Sequence, residues 1–187
     1  MVSDPTTVDE LFELYERLGD QTYGESITQN EHALQCAALA RDARASAALT
    51  VAALFHDVGH LALGVQREPG FDLESQDDDH EARGARILAH LFGPSVAQSV
   101  AMHVLAKRWR CTREPDYRDR LSSASRATLV AQGGLLSEAE CQRFERHPGF
   151  HDALALRTWD DAGKVEGIEV GTLRDWEPLV RSLPATR

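Results

Sequence analysis

The sequence predicts an all-α fold, a bundle of helices arranged around a metal site. Apolar residues recur at helical spacing in most segments, no stretch alternates with the two-residue period of a strand, and no internal repeat is present. Histidine and aspartate residues lie within or at the ends of these apolar segments. Because buried imidazole and carboxylate groups are unfavourable unless they are paired, we expect a metal ion or a hydrogen-bond network there.

Composition limits the class of protein. A length of 187 residues favours a single domain over residues 1–187, and 42% hydrophobic with 27% charged residues is ordinary for a globular chain. The net charge of −10 argues against a broad surface for nucleic acid or for an anionic membrane. Three cysteines without a CxxC pair, no basic and apolar leader and no long apolar run predict a cytoplasmic protein with free thiols.

The first predicted helices flank a loop. VDELFELYERL follows Pro5 and has apolar residues at helical spacing, and Gly19 is expected to end this helix. The second helix is expected to begin with Asn30 as its N-cap and carries His32. Residues 22–29 lie between them and are predicted to form an active-site loop, since loops beside a candidate ligand often carry function.

The segment AALFHDVGH is the centre of the metal prediction. We expect it to lie on one helix that ends at Gly64. His56 and His60, four residues apart, would then share one face of this helix, with Asp57 at the edge of that face. A polar loop is predicted over residues 64–79.

Two further helices each carry a histidine. His80 opens the first of them, after acidic residues suited to a cap, and Gly93 ends it. The second is expected to start at Ser95 and places His103 and Lys107 four residues apart on one face. Because a histidine stacked over a lysine is unusual for packing alone, Lys107 is a candidate anion-binding residue beside a metal.

The last third of the chain predicts a series of shorter helices. SSASRATLVA forms one that a Gly-Gly pair ends, and Ser137 caps the next in a capping box with Glu140. A helix over residues 150–163 carries Asp160 near its end, and a final helix over residues 176–183 is expected to close the bundle.

Six residues form the candidate metal site: His32, His56, Asp57, His80, His103 and Asp160. Each lies on or at the end of a predicted helix, as metal ligands in helix bundles do. Four imidazoles and two carboxylates without a thiolate favour iron, manganese or another borderline metal over a structural zinc ion. Asp57 is the expected bridge between two cations, because a carboxylate offers two oxygens.

The order H…HD…H…H…D resembles the HD-domain superfamily, a helical bundle around one or two metals. GESITQNEHALQCA, AALFHDVGH, MHVLAKRW and LRTWDDAGK, within residues 24–164, are more closely similar to the PhnZ-type HD oxygenases, relatives of myo-inositol oxygenase. The resemblance implies a mixed-valent pair of iron ions that uses dioxygen to cleave the carbon–phosphorus bond of a small organophosphonate.

The resemblance also implies roles for individual residues. One iron is held by His32, His56, Asp57 and Asp160, and the second by Asp57, His80 and His103. The substrate phosphonate is bound by His60, Lys107, Ser125 and Arg157. Glu25 and Tyr23 lie towards the amino end of the substrate, and the residues closest to the chemistry are His60, Lys107 and Glu25.

One position departs from the family pattern. The family has a tyrosine three residues before the loop glutamate, whereas this chain has Thr22 there and Tyr23 shifted by one. Since that tyrosine is associated with orienting the substrate amine, the resemblance leaves amine specificity open. An aromatic box for a quaternary ammonium group would involve Tyr23, Trp109 and Trp159.

Two activities follow from these observations. The resemblance implies oxidation of a (1-hydroxy-2-aminoethyl)phosphonate, or its N-methylated relative, to phosphate and glycine or glycine betaine. The alternative is a metal-dependent HD phosphohydrolase of a nucleotide or phosphate ester, which needs the same HD pair. The complete six-residue set and the QGG and RTWDDAGK matches favour the oxygenase. They also disfavour a non-catalytic HD scaffold, in which ligands would be lost.

Overall fold

The computed structural model of the chain describes residues 4–22, 26–63 and 80–184. The regular elements in these ranges are all helical, which confirms the predicted all-α fold for the part of the chain that is described. The α-helices are α1 (Val8–Leu18), α2 (Gln29–Asp42), α3 (Ala47–Phe55), α4 (Val58–Leu63), α5 (His80–Phe92), α6 (Pro94–Arg113), α7 (Tyr117–Arg120), α8 (Ser123–Ala131), α9 (Glu138–Glu145), α10 (Phe150–Ala162) and α11 (Glu177–Ser182). A 3₁₀ turn, Leu173–Trp176, leads into α11.

The core lies among the helices that carry the predicted metal ligands. Helix α6 packs against α3, α5 and α10, and α2 packs against α3 and α10. Apolar side chains fill the space between α1 and α3, where the Phe55 ring meets those of Phe12 and Tyr15 edge to face at centroid distances of 5.9 and 5.2 Å. Within the described ranges, we find no helix whose length and hydrophobicity would let it cross a membrane.

The AALFHDVGH segment is interrupted, which corrects the prediction of one continuous helix. Helix α3 ends at Phe55 and α4 begins at Val58, so His56 and Asp57 form the junction. The His60 amide donates to the Asp57 carbonyl, three residues back, at 2.9 Å. The break turns His56 and His60 away from a common face, and each ring contacts a different part of the site.

Two predicted helix starts also change. Thr28, and not Asn30, caps α2: its hydroxyl accepts from the Glu31 amide at 3.2 Å, and the Glu31 carboxylate accepts from the Thr28 amide at 2.7 Å. Asn30 instead donates its side-chain amide to the Tyr15 carbonyl at 3.4 Å, which ties α2 to the end of α1. Helix α6 begins at Pro94, one residue before the predicted start, because proline suits the first helical position.

Other predicted boundaries are confirmed. Gly19 follows α1, Gly93 separates α5 from α6, and Ser137 forms the predicted capping box with Glu140 at the start of α9. Gly93 has a φ of 79°, in the left-handed region that glycine tolerates best. The predicted loop 64–79 lies outside the described residues, as do residues 23–25 of the loop 22–29.

Candidate metal centre and active site

The structure brings the six predicted ligands together in the centre of the bundle. They come from α2, the α3–α4 junction, the first turn of α5, the middle of α6 and the end of α10. The shared feature is burial: the four imidazoles and Asp160 are each at most 5% exposed. Five separate chain segments therefore contribute to one polar cluster inside an apolar core.

The first group of ligand atoms surrounds His32. Its Nε2 lies 3.3 Å from His56 Nε2, 3.4 Å from Asp160 Oδ1 and 3.6 Å from Asp57 Oδ2. The other oxygen of Asp57, Oδ1, lies 3.4 Å from His56 Nε2. These are the four residues predicted to hold one metal ion.

The second group surrounds His103. Its Nε2 lies 3.2 Å from His80 Nε2, and ligand atoms of Asp57, His80 and His103 all lie within 4.8 Å of one another. Asp57 therefore adjoins both groups, as the prediction of a bridging carboxylate requires.

A backbone carbonyl holds the outer nitrogen of three of the four rings. Backbone carbonyls accept from three of the Nδ1 atoms, in the pairs His32 with Gly163 at 2.8 Å, His56 with Ala53 at 3.0 Å, and His103 with Val100 at 2.7 Å. The Nδ1 of His80 lies 3.4 Å from the Glu81 carboxylate. Since the three carbonyls accept and do not donate, the Nδ1 atoms of His32, His56 and His103 carry a hydrogen, and the Nε2 atoms point inward.

This arrangement fits metal ions. Two Nε2 lone pairs that face each other repel unless a proton or a metal ion lies between them, so the close Nε2 pairs favour cation binding. Two nitrogens about 2.1 Å from one ion, at an angle of about 90–110°, are roughly 3.0–3.4 Å apart. The observed Nε2 separations of 3.3 and 3.2 Å fall in that range.

The charges of the cluster favour cation binding as well. Burial acts to raise the pKa of Asp160, but Arg157 and Lys164 outweigh it and hold that pKa well below its usual range. For Asp57, burial is likewise outweighed, chiefly by His56 and His60, so its pKa is also low. Burial, with His80 adding to it, keeps the pKa of His103 far below its ordinary value. Two anionic carboxylates thus face the neutral imidazoles of His56 and His103. Burial acts to lower the pKa of His32 too, but Cys36 and Asp160 outweigh it and raise that pKa well above its ordinary value, so this ring carries a positive charge that a metal ion would replace.

Cys36 is a neighbour of the site to which the sequence assigned no role. Its Sγ lies 3.7 Å from His32 Nδ1 and donates to the Trp159 carbonyl at 3.4 Å. Burial raises the pKa of this thiol, which keeps it protonated. The spacing of four residues between His32 and Cys36 on one helix was the signal that could have placed it beside the site.

His60 belongs to the neighbourhood of the second group. Its ring stacks on that of His80, with centroids 3.8 Å apart and an interplanar angle of 16°. Its side chain is half-buried, so it lies at the edge of the cluster. This position is compatible with the predicted contact to a substrate on the second metal.

Lys107 is buried, although a lysine side chain is seldom found in the core. It is 2% exposed, and its Nζ donates to Thr128 Oγ1 at 3.0 Å and to the Ser125 carbonyl at 3.4 Å. Burial, with the nearby charge of Arg157, lowers the pKa of Lys107 from 10.5 to about 7. No carboxylate is among its hydrogen-bond partners in the described residues, so its charge remains available to an anion.

Arg157 lies between the metal cluster and Ser125. Its Nη1 donates to Asp160 Oδ2 at 2.8 Å, and its Nη2 contacts Ser125 Oγ at 3.4 Å and pairs with Asp161. Its Nε donates to the Tyr117 hydroxyl at 2.8 Å. The structure therefore brings Lys107, Ser125 and Arg157 together, but it also engages Arg157 in ion pairs. The sequence did not predict Tyr117 or Asp161, whose signal lies only in the tertiary contacts.

The remaining predicted site residues are not described. Tyr23 and Glu25 lie outside the described ranges, so their proposed contacts with the amino end of a substrate stay predictions.

Comparison with known proteins identifies the fold family. A sequence profile of the HD domain matches residues 30–132, more than half of the chain. The chain belongs to the HD domain family. This HD protein is 42% identical, over 94% of its length and 87% of the relative's, to a hydroxymethylphosphonate dioxygenase of Gimesia maris. It is 35% identical, over 91% of its length and 86% of the relative's, to a [1-hydroxy-2-(trimethylamino)ethyl]phosphonate dioxygenase (glycine-betaine-forming) of Leisingera caerulea.

The matched HD range covers five of the six candidate ligands of this HD protein. His56 and Asp57 are the pair of adjacent residues after which the family is named, and they form the junction between α3 and α4. Asp160 lies on α10, beyond the matched range. The contacts of Asp160 with His32 and Arg157 nevertheless make it part of the same cluster.

Proposed function

We propose that this HD protein is a metal-dependent oxygenase that cleaves the carbon–phosphorus bond of a small 1-hydroxyphosphonate. The observation that carries the proposal is the position of two buried cations, Lys107 and Arg157, beside a cluster of four imidazoles and two carboxylates. The names of both relatives support it, because each describes a phosphonate with a hydroxyl group on the carbon bonded to phosphorus.

The metal content that we propose is supported by the donor set, which suits iron or manganese, and by the resemblance to the PhnZ-type HD oxygenases. We propose two iron ions, in a mixed-valent Fe(II)/Fe(III) state, which would supply the oxidative chemistry with dioxygen when bound. The residues that would hold them are His32, His56, Asp57 and Asp160 for one ion, and Asp57, His80 and His103 for the other.

The protein's own side chains would bind and orient the phosphonate. An ammonium, a hydroxyl and a guanidinium group, from Lys107, Ser125 and Arg157, are the donors that recognise a phosphonate dianion. A dianion beside Lys107 would favour its protonated form, so binding would raise the depressed pKa of that lysine. His60, stacked on His80 at the edge of the second group, would contact the same substrate. The buried walls of the bundle would exclude water from the reacting carbon.

The atom balance of the proposed reaction requires dioxygen. The bond between carbon and phosphorus breaks, the phosphonate becomes phosphate and the hydroxyl-bearing carbon becomes a carboxylate. Each product fragment gains one oxygen atom relative to the substrate, and one O₂ molecule contains the two that are needed.

The substituent on the hydroxyl-bearing carbon decides the exact substrate. Our sequence-based candidates are (1-hydroxy-2-aminoethyl)phosphonate and its N-methylated forms, which would give glycine or glycine betaine. The 42% identity to a hydroxymethylphosphonate dioxygenase favours a second candidate, hydroxymethylphosphonate, which carries no amine and would give formate. Glu25 and Tyr23 would contact the amine of the larger candidates.

An oxygen-dependence experiment tests the proposal. The iron-loaded protein is mixed with each candidate phosphonate in air and under strict anaerobiosis, and the phosphate released is measured. We expect release in air to match oxygen consumption and to stop without oxygen. Equal release in both atmospheres would exclude the oxygenase.

The same assay addresses the alternative activity. A phosphate ester and a nucleotide are included as substrates, since an HD phosphohydrolase would release phosphate from them without oxygen. The Lys107→Met variant, assayed with the phosphonate that the wild type prefers, should show a higher KM because it removes the ammonium group.

A further inference from the structure

Arg157 is held by a second layer of polar side chains on the side away from the metal cluster. Tyr117, at the start of α7, accepts a hydrogen bond from Arg157 Nε at 2.8 Å and donates one to Asp161 Oδ2 at 2.5 Å. Asp161 also pairs with Arg157 Nη2. Tyr117, Asp161 and Arg157 therefore form a closed ring of contacts, and we name it the Tyr117 lock.

The Tyr117 lock is anchored at its outer edge. Arg110, on α6, lies over the Tyr117 ring at 4.2 Å from its centroid and reaches Asp161 Oδ2 at 3.4 Å. The Arg110 guanidinium also pairs with Glu114, four residues on, at 3.0 Å. Side chains from α6 and α10 thus both contact Tyr117 at the start of α7.

A phenol suits this position for a chemical reason. Its oxygen has to accept from a guanidinium and donate to a carboxylate at the same time, which a hydroxyl group can do. Burial raises the pKa of Tyr117, and Asp161 adds to that effect against the opposing charge of Arg157. The phenol therefore keeps its hydrogen at neutral pH. Tyr117 is 3% exposed, so water is a poor substitute for it.

The orientation of Arg157 matters for the metal cluster because of its other end. Arg157 Nη1 bonds to Asp160 Oδ2 at 2.8 Å, which leaves Asp160 Oδ1 to face His32 Nε2 at 3.4 Å. A guanidinium is planar, so fixing Nε and Nη2 also fixes the direction of Nη1. Partners of this kind behind a metal ligand orient the ligand and tune the metal.

We propose that Tyr117 is a positioning residue of the metal centre: through Arg157, its hydroxyl fixes the orientation of the Asp160 carboxylate. The inference rests on the metal site of the proposed function, and on neither the substrate nor dioxygen. By holding Arg157, the Tyr117 hydroxyl would also position the contact between Arg157 and Ser125, where the phosphonate is predicted to bind.

The test is a metal titration of the Tyr117→Phe variant. The full chain is stripped with a chelator and titrated with Mn(II) by calorimetry, so that no turnover is needed. We expect the affinity of the ion held by His32, His56, Asp57 and Asp160 to fall by about 10-fold, the lower end of the range for outer partners of metal ligands. The electron paramagnetic resonance spectrum of bound Mn(II) should also change.

Tyr15→Phe is the matched control, since it removes a hydroxyl from another buried tyrosine, on α1. We expect Tyr15→Phe to bind Mn(II) as the wild type does. If Tyr117→Phe keeps the wild-type affinity within 2-fold, or if Tyr15→Phe loses as much, the inference is wrong. A role confined to packing would lower the unfolding temperature of the metal-free protein and leave the affinity unchanged.

A second variant covers the case in which Tyr117→Phe does not fold, as judged by circular dichroism. Asp161→Asn keeps the phenol and removes the charge that holds Arg157, and we expect it to weaken Mn(II) binding in the same direction. Unchanged affinity in Asp161→Asn would then contradict the inference. If the wild type binds Mn(II) but turns over no phosphonate, the proposed function fails while the inference is still decided by the titration.

Discussion

At the scale of single residues, the direction of each ligand ring is set from outside the site. Backbone carbonyls of α3 and α6 hold His56 and His103 through contacts three residues back along the chain, whereas His32 reaches the Gly163 carbonyl at the end of α10. The first two restraints are local and survive loss of metal. The restraint on His32 depends on how α2 and α10 pack. A shift between these two helices would therefore reorient the His32 ring more than the rings of His56 and His103.

The first prediction concerns the ligands themselves. His103→Ala should lower turnover of the preferred phosphonate by more than about 100-fold, beyond the usual effect of changing an outer partner. It should also reduce bound iron from two ions to one per chain, measured by atomic absorption, with the helical circular dichroism retained.

His90→Ala is the matched control for this prediction. His90 is an exposed histidine on α5 with no assigned role, so its loss should leave iron content and turnover unchanged. Retention of two ions and full activity in His103→Ala would show that the ligand assignment is wrong.

The second prediction concerns the buried charge of Lys107. The unfolded chain holds this proton up to a pKa of 10.5, whereas the folded protein releases it at about 7. The unfolded state therefore binds more protons between these values, and the contribution of Lys107 to stability rises with pH across that window. Below pH 7 the folded protein bears the full cost of the buried ammonium group.

Lys107→Met should remove this dependence. Relative to the variant, the metal-free wild type should gain about 2–3 kcal/mol in its free energy of unfolding from pH 6 to pH 9. Urea unfolding at the two pH values measures this gain. A packing change caused by the substitution contributes equally at both pH values, so it cancels when they are compared. If the two proteins differ in their free energy of unfolding by the same amount at pH 6 and at pH 9, Lys107 keeps an ordinary pKa and the prediction is wrong.

At the scale of elements, Gly59 sets how closely α4 approaches α5. A Cβ at this position would lie 1.9 Å from the His80 carbonyl oxygen and 2.7 Å from the carbonyl carbon. Because both neighbours are backbone atoms of a predicted ligand, any side chain here would push the first turn of α5 away. The glycine in AALFHDVGH is thus required by close approach between helices.

Gly59→Ala should destabilise the fold and weaken the second metal site together. We expect a loss of about 1–3 kcal/mol in the free energy of unfolding, as for other overpacked positions. Mn(II) affinity should fall as His80 moves from His103. Gly149→Ala is the control, since its Cβ would meet flexible ends of Met102 and Gln98, at 2.6 and 3.2 Å. Equal effects of the two substitutions would contradict the prediction.

Two capping boxes offer a matched comparison at the same scale. Thr28 begins α2, which carries His32 in its first turn, and Ser137 begins α9, which carries none of the six predicted ligands. Thr28→Ala and Ser137→Ala should each lower the free energy of unfolding by about 1 kcal/mol. Fraying at Thr28 moves His32, so only Thr28→Ala should also weaken Mn(II) binding. A similar weakening in Ser137→Ala would show that stability, and not ligand position, controls the affinity.

At the scale of the whole molecule, the metal site connects distant parts of the chain. The six candidate ligands are spread along the chain from His32 to Asp160, but they meet in one cluster. Bound ions would therefore cross-link α2, the α3–α4 junction, α5, α6 and α10. Ions that bind the folded chain and not the unfolded one shift the folding equilibrium by mass action. Stability and metal occupancy should therefore be coupled.

Metal loading should raise the unfolding temperature. Each site filled at 100 times its dissociation constant would contribute about 2.7 kcal/mol. For a chain of this length, that corresponds to a rise of about 5–10 °C per site. Scanning calorimetry with Mn(II), and again after a chelator is added, measures the change. The His103→Ala protein should show a smaller rise, and a wild type that Mn(II) does not stabilise would count against the site.

The sequence by itself determined the fold class, the six candidate ligands and most helix ends. Periodic apolar residues, capping boxes and glycine at helix ends act over a few neighbours, so their effect is readable from the chain. Only the tertiary structure showed the features that arise from contacts between residues distant in sequence. The burial of Lys107 and the ring of contacts through Tyr117 depend on neighbours more than ten residues away. The break at His56 and Asp57 lies where Gly59 of α4 approaches the backbone of His80 in α5. AALFHDVGH reads as a helix from its own residues, but packing against α5 and α6 places its two histidines on different sides of the cluster.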